Sequence, residues 1–193
     1  MNLIETMLDG VYIIEPKIFN DSRGYFFASY NRMAFEKAGL DYTFVQDNQS
    51  KSSYGTIRGI HFQTGEFAQA KLVWVLQGTV LDVAIDLRMG SPTYGQHIAV
   101  ELSEDNHRQL LIPRGFGHGF SVLSEAAIFL YKCDNFYSPS HEGSIRFDDP
   151  ELDIDWRVDM KKVLHSDKDK SAPCFKTYCQ HPVFRYIGKQ ENT

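Results

Sequence analysis

The sequence lacks the features that mark membrane proteins, disulfide scaffolds and nucleic-acid binders. No stretch of its 193 residues approaches the roughly 20 consecutive apolar residues that a membrane span requires. The opening Met1-Asn2-Leu3-Ile4-Glu5 carries no basic lead-in followed by an apolar run, so no secretion signal is expected. Cysteine is scarce: Cys133, Cys174 and Cys179 make neither an even set nor a Cys-x-x-Cys pair. Reduced thiols in a cytoplasmic protein are the expectation. There is no basic excess either. The net charge of −5 argues against broad nucleic-acid binding, although a few convergent cations still suit a small anionic ligand. Internal repeats, low-complexity tracts and long linkers are also missing, and 193 residues fit one domain.

What the chain does have is short runs rich in Val, Ile, Phe and Tyr, separated by turn residues, in a composition 42 % hydrophobic and 13 % aromatic. That pattern predicts a mostly-β sandwich or barrel with a few short helices. Strands are expected at 11–15, 24–30, 43–46, 56–63, 71–76, 79–87, 97–102, 109–112, 119–123 and 127–133, with Gln77-Gly78 as a tight hairpin turn. In the longest, Thr79, Leu81, Val83, Ile85 and Leu87 alternate with Val80, Asp82, Ala84 and Asp86. The aspartate-bearing face is either a barrel wall beside a polar cavity or a solvated surface. Asn31 predicts the N-cap of a helix over 32–38 that stops at Gly39, and Ser166 is a second cap. Beyond about residue 175 the pattern weakens, and Tyr178, Phe184 and Tyr186 have either the body of the protein or a partner to dock on.

Three strands carry unusual polar residues. In Arg58-Gly59-Ile60-His61-Phe62-Gln63, alternation puts Arg58 with Ile60 and puts Gly59, His61 and Gln63 on the other face. Gly59 leaves backbone room for a ligand. Lys71 opens an apolar strand, and Tyr131 ends another. Singly, each has an ordinary structural reading: a hydrogen-bonded core histidine, a snorkelling lysine, a core tyrosine with its hydroxyl satisfied. Together they make a base, a cation and a second proton carrier, the side-chain types of general acid–base chemistry. Pro113-Arg114-Gly115-Phe116-Gly117-His118 has the Pro-x-Gly-x-x-His spacing of the second cupin motif, a turn into a strand whose His points into the barrel. The first-motif region offers only His61, followed by Phe62 and Gln63. That is a poor metal donor set, so no metal and no cofactor are expected.

Further segments match in order from about residue 8 to 173. They include Asp21-Ser22-Arg23-Gly24-Tyr25-Phe26, Phe44-Val45-Gln46-Asp47-Asn48-Gln49-Ser50, Gln69-Ala70-Lys71-Leu72-Val73, Tyr131-Lys132, Tyr137-Ser138-Pro139, Glu142-Gly143 and Ser166-Asp167-Lys168-Asp169. On these the chain resembles the dTDP-4-dehydrorhamnose 3,5-epimerases of the cupin superfamily. The resemblance implies a cupin-type jelly-roll β-barrel and a dTDP-linked 4-keto-6-deoxy sugar as substrate. It implies inversion at C3 and C5, or at one of them in a related branch. It implies His61 as base, Asp169 as its carboxylate partner, Tyr131 as acid and Lys71 as stabiliser of the enolate oxygen. Arg23, Gln46, Asp47, Asn48, Arg58, His118, Tyr137, Glu142 and Lys168 fall on substrate-binding positions, with Arg23, Arg58 and Lys168 forming a diphosphate clamp. Ala28 stands where the family commonly has Glu. A homodimer that exchanges an edge strand is also implied. Ser166-x-x-Asp169 reads equally as a capping box, in which case Asp82 or Asp86 is left to orient His61. A nucleotide-sugar-binding cupin without turnover is the alternative from another functional class.

Overall fold

The computed structural model describes residues 1–188. The first half of the chain forms β1 (Asn2–Glu5), β2 (Tyr12–Glu15), β3 (Phe19–Asp21), β4 (Gly24–Phe26), β5 (Gln46–Ser53), β6 (Ile57–Gln63), β7 (Lys71–Gln77) and β8 (Thr79–Asp86). It continues with β9 (Arg88–Met89), β10 (His97–Ser103), β11 (Gln109–Ile112), β12 (Phe116–Val122), β13 (Ala126–Cys133), β14 (Glu142–Ser144) and β15 (Phe184–Arg185). The helices are short: α1 (Arg32–Lys37), α2 (Asp167–Lys170) and α3 (Phe175–Gln180).

Two large antiparallel sheets result, one ordered β1-β2-β11-β7-β13-β5 and the other β10-β8-β12-β6-β14. They face each other as the expected mostly-β jelly roll. Their shared interior holds Val73, Val75, Leu110 and Phe129 from the first sheet against Val80, Ala84, Phe116, Phe120 and Val122 from the second. Full burial of each such side chain contributes roughly 1.5–3 kcal/mol, so this end of the barrel is firmly closed.

The alternation predicted along 79–87 is present, and neither face is solvated. Val80 and Ala84 point between the sheets. Leu81, Val83, Ile85 and Leu87 point outward and are covered by Ile145, Phe147, Leu152, Trp156, Phe175 and Tyr178. Asp82 and Asp86 are fully buried. Asp86 is consumed by a turn, accepting hydrogen bonds from Arg88 Nε (2.9 Å), Ser91 Oγ (2.6 Å) and Thr93 Oγ1 (2.8 Å). Residues 145–178 therefore form a second layer that holds the site-bearing sheet from behind.

The N-cap reading of Asn31 is met: its side chain accepts the Ala34 N–H at 3.0 Å, and Gly39 follows α1 with φ +78°. The tail docks on its own body. Tyr178 donates its hydroxyl to Leu87 O (2.8 Å), β15 pairs in parallel with β9, and Tyr186 donates to Asp9 (3.0 Å). Of the segment 175–193 read as a weakly patterned extension, Lys189–Thr193 lie outside the described residues.

Two local readings change. Gly59 has φ +124°, and a Cβ there would sit 2.6 Å from Gly119 Cα and 2.7 Å from His118 O. The room it leaves is taken by the backbone of β12, not by a ligand. The β6–β12 register also shifts between His118 and Phe120. The simple alternation through β6 is broken there, so Arg58 and Ile60 do not share a face: Arg58 lines the interior cavity while Ile60 packs in the outer layer.

Candidate active site

Where the barrel is not filled by apolar side chains it holds a cavity of about 510 Å³, lined by residues of both sheets and of the tail. The six-stranded sheet supplies Asn48 and Ser50 from β5, Lys71 from β7, and Phe129 and Tyr131 from β13. The five-stranded sheet supplies Arg58 and His61 from β6, and His118 and Phe120 from β12. Leu164, His165, Ser166 and Asp169 close it from the tail. A smaller recess of about 100 Å³ adjoins it, lined by Gln46, Gln63, Gln69, Cys133, Tyr137 and Glu142, and shares Asn48, His61, Lys71 and Tyr131 with it.

Strand register explains which side chains meet. On β13, Phe129, Tyr131 and Cys133 share the inner face, and Cys133 lies opposite Lys71. Lys71 and Val73 therefore belong to that face too, and Lys71 Nζ sits 5.9 Å from the centre of the Tyr131 ring. Burial pushes the Lys71 amine below its ordinary value, opposed by the charges of Cys133, Asp82 and Glu142. Burial likewise pushes the Tyr131 phenol up, so it stays protonated through neutral pH.

His61 is oriented by the tail. Its Nε2 lies 2.5 Å from Asp169 Oδ1, and the Asp169 side chain is only 4 % exposed. The Asp169 carboxyl feels desolvation upward, yet hydrogen bonds from His61 and Ser166 and the His61 charge leave it below its ordinary value. Ser166 serves two functions at once: it accepts the Asp169 N–H (3.1 Å) as helix cap and donates its hydroxyl to Asp169 Oδ2 (2.8 Å). The capping box and the His–Asp pair are one arrangement. Asp82 and Asp86 do not reach His61: Asp82 bonds the second cavity histidine, His118, at 2.9 Å, and Asp86 is spent on its turn.

At the rim Glu142 Oε2 accepts the Tyr137 hydroxyl (2.9 Å) and pairs with Lys168. Gln46 donates to Asn48 (2.9 Å), and Arg58 Nε donates to Ser52 Oγ (3.0 Å). Among the expected binding residues, Gln46, Asn48, Arg58, His118, Tyr137, Glu142 and Lys168 are thus gathered in or around the cavity. Two are not. Asp47 falls on the outer face of β5 by alternation and pairs with Lys132 at 2.8 Å. Arg23 lies at the tip of the β3–β4 hairpin, 87 % exposed and bonded to Asp21. No clamp of Arg23, Arg58 and Lys168 forms within one chain.

Residues that single-strand patterning missed are Ser50, Ser52 and Gln49 on β5, and Ser166 as more than a cap. The signal for β5 was weak because Gln46–Ser53 is polar on both faces. Among the described residues no three His, Cys, Asp or Glu side chains converge as metal ligands, and none of the helices is long and apolar enough to cross a membrane.

Known proteins share this architecture. The family model for dTDP-4-dehydrorhamnose 3,5-epimerase matches residues 5–177. A dTDP-4-dehydrorhamnose 3,5-epimerase from Salmonella typhimurium is 53 % identical over 174 residues, which is 90 % of this chain and 94 % of that protein. The solved dTDP-4-dehydrorhamnose 3,5-epimerase of Elizabethkingia anophelis NUHP1 superposes with TM-score 0.88 at 54 % identity, covering 92 % of this chain and 97 % of that one. A dTDP-6-deoxy-D-glucose-3,5-epimerase from Legionella pneumophila Philadelphia 1, solved in complex with dTDP-4-keto-L-rhamnose, does so with TM-score 0.91 at 46 % identity, covering 96 % and 98 %.

Proposed function

The chain belongs to the dTDP-4-dehydrorhamnose 3,5-epimerase family, and we propose that His61 and Tyr131 carry out its epimerisation from opposite sides of one bound sugar. The reaction inverts C3 and C5 of dTDP-4-dehydro-6-deoxy-D-glucose to give dTDP-4-dehydro-L-rhamnose. A ketone at C4 acidifies the C–H bonds on both neighbouring carbons, because loss of either proton gives an enolate on the same oxygen. His61, held by Asp169, takes the proton. Lys71 offers positive charge to the oxygen as it becomes negative, the kind of preorganised stabilisation worth about 3–4 kcal/mol when one donor is removed. Tyr131 then protonates the carbon from the other face. A positioned acid or base contributes about 10²–10⁴-fold each.

One observation carries this reading. His61 stands on one sheet and Tyr131 on the facing sheet, both line the same cavity, and Lys71 lies beside the Tyr131 ring. Inversion needs that two-sided arrangement; simple binding does not. Arg58 and Lys168 are the cations for the diphosphate, since guanidinium and ammonium groups suit phosphate oxygens. Gln46, Asn48, His118, Tyr137 and Glu142 hold the sugar and base.

The partner is a second copy of the chain, with the β3–β4 hairpin as the exchanged edge. Exposed Phe19, Tyr25 and Phe26 on that hairpin support it, and light scattering would return twice the chain mass. The free thiols of Cys133, Cys174 and Cys179 accord with a cytoplasmic setting.

Proton NMR of the substrate in heavy water with the enzyme tests the reaction. Deuterium should enter at both C3 and C5. Label at one carbon would make this a single-position epimerase, and no label at either would end the proposal.

A further inference from the structure

The division of labour above leaves the buried carboxylate of Asp82 unused. Asp82 lies on the inner face of β8 between Val80 and Ala84, opposite Phe120 of β12 and Val100 of β10, and is fully buried. Its Oδ2 is 2.9 Å from His118 Nε2. Its Oδ1 is the one buried side-chain oxygen or nitrogen among the described residues that has no hydrogen-bond partner. A carboxylate in such surroundings is expensive to desolvate, and an apolar residue would pack there at less cost. Its position therefore calls for a function.

We infer that Asp82 is a positioning residue for the epimerisation: its buried carboxylate fixes the His118 ring through Nε2 and is the counter-charge that keeps Lys71 an ammonium at the cavity wall. The inference rests on the epimerase reading given above. With Nε2–H donated to Asp82, Nδ1 is the ring nitrogen left to accept a proton on a side chain that lines the cavity. The electrostatics agree with that geometry. Burial pushes the Asp82 carboxyl up, while His118 and Lys71 pull it back toward the anion. Burial pushes His118 down, opposed by Asp82 and reinforced by the Lys71 and His61 charges. The groups whose charges or rings reach Lys71 are Asp82 from β8, His118 from β12, Cys133 and the Tyr131 ring from β13, and Glu142 from β14. Of these, Asp82 and Glu142 are the carboxylates, and Glu142 is already paired with Lys168 and Tyr137 at the rim. Asp82 is thus the carboxylate left to balance a buried ammonium.

The test is Asp82→Asn, which keeps the shape and removes the charge. Deuterium exchange into the keto sugar should slow by about tenfold or more, with dTDP affinity by calorimetry nearly unchanged. The alkaline limb of the kcat–pH profile should move down by about one unit, the change expected when a neighbouring charge is lost. A variant with wild-type kcat and an unmoved limb would overturn the inference, as would one whose kcat, dTDP affinity and melting point all fall together with the limb in place. If the wild type itself exchanges no deuterium, the epimerase reading fails instead. Should the Asn variant not fold, ¹⁵N NMR of the wild-type ring decides, with the His118 resonances identified by their loss in His118→Gln. A proton resident on Nε2 with bare Nδ1 supports the assignment, and a proton on Nδ1 overturns it.

Discussion

Asp169 Oδ1 meets His61 Nε2 at 2.5 Å across a sequence separation of 108. The carboxylate reaches that point because α2 begins at Ser166, whose hydroxyl bonds the other carboxylate oxygen at 2.8 Å. A helix start on the tail thereby sets the orientation of a histidine on a barrel strand.

Replacing His61 with Ala should remove solvent exchange at both carbons, a loss of about 10²–10⁴-fold on the scale of a positioned base. Affinity for dTDP, measured by calorimetry, should change little, because the proposed role of the imidazole is at the sugar and not at the nucleotide. Wild-type turnover in this variant would refute the assignment.

Tyr131→Phe should separate the two halves of the reaction. Proton removal by His61 persists, so deuterium still washes into the starting sugar, while inverted product drops by about 10²–10⁴-fold. NMR integration of retained and inverted sugars in heavy water distinguishes the two.

Ser166→Ala removes both a helix cap and a carboxylate ligand. The cap alone is worth about 0.5–2 kcal/mol, to be read from urea denaturation. The freed carboxylate should also lower kcat several-fold, since His61 loses a fixed partner, and Ser166→Thr should restore most of both.

The Asp169 carboxyl is held below its ordinary value of 3.8 in the folded protein. A lowered carboxyl stabilises the fold fully above that ordinary value, and the contribution disappears as pH falls through the lower folded value. Urea midpoints taken between neutral pH and strong acid should therefore fall more steeply in the wild type than in Asp169→Asn. Parallel curves would show that the His61–Asp169 pair adds nothing to stability.

Asp86→Asn should destabilise without touching the cavity. The carboxylate is fully buried and its Arg88 partner only 12 % exposed, and breaking such a pair costs about 3–5 kcal/mol. Denaturation should report that loss, while kcat at low temperature stays near wild type.

Much of the fold was readable along the chain. The 79–87 alternation and the Asn31 cap are local patterns, and each formed where its residues predicted. The Gln77-Gly78 hairpin did not form: β7 pairs with β11 and β13 and β8 with β10 and β12, so the chain crosses there from one sheet to the other. β5 was not legible: 43–46 was expected as a strand, yet pairing runs over Gln46–Ser53. Its inward residues Gln46, Asn48 and Ser50 face a polar cavity, so the apolar stripe that betrays most strands is missing there. The site residues came from segment resemblance more than from periodicity; within one chain Arg23 sits on an exposed hairpin and Asp47 on an outer face.

By itself the sequence determined most of the apolar strands, the Asn31 cap and the residue types able to move a proton, because these depend on neighbours two to four positions away. Only the tertiary structure decided that Arg58 joins His61 in the cavity, that Asp169 rather than Asp82 holds His61, and that Asp82 stands behind His118. Those outcomes depend on a register shift against β12 and on where a distant tail is laid across the sheet. A periodic pattern names the two faces of a strand; which one encloses a cavity is set only when the sheets close on each other.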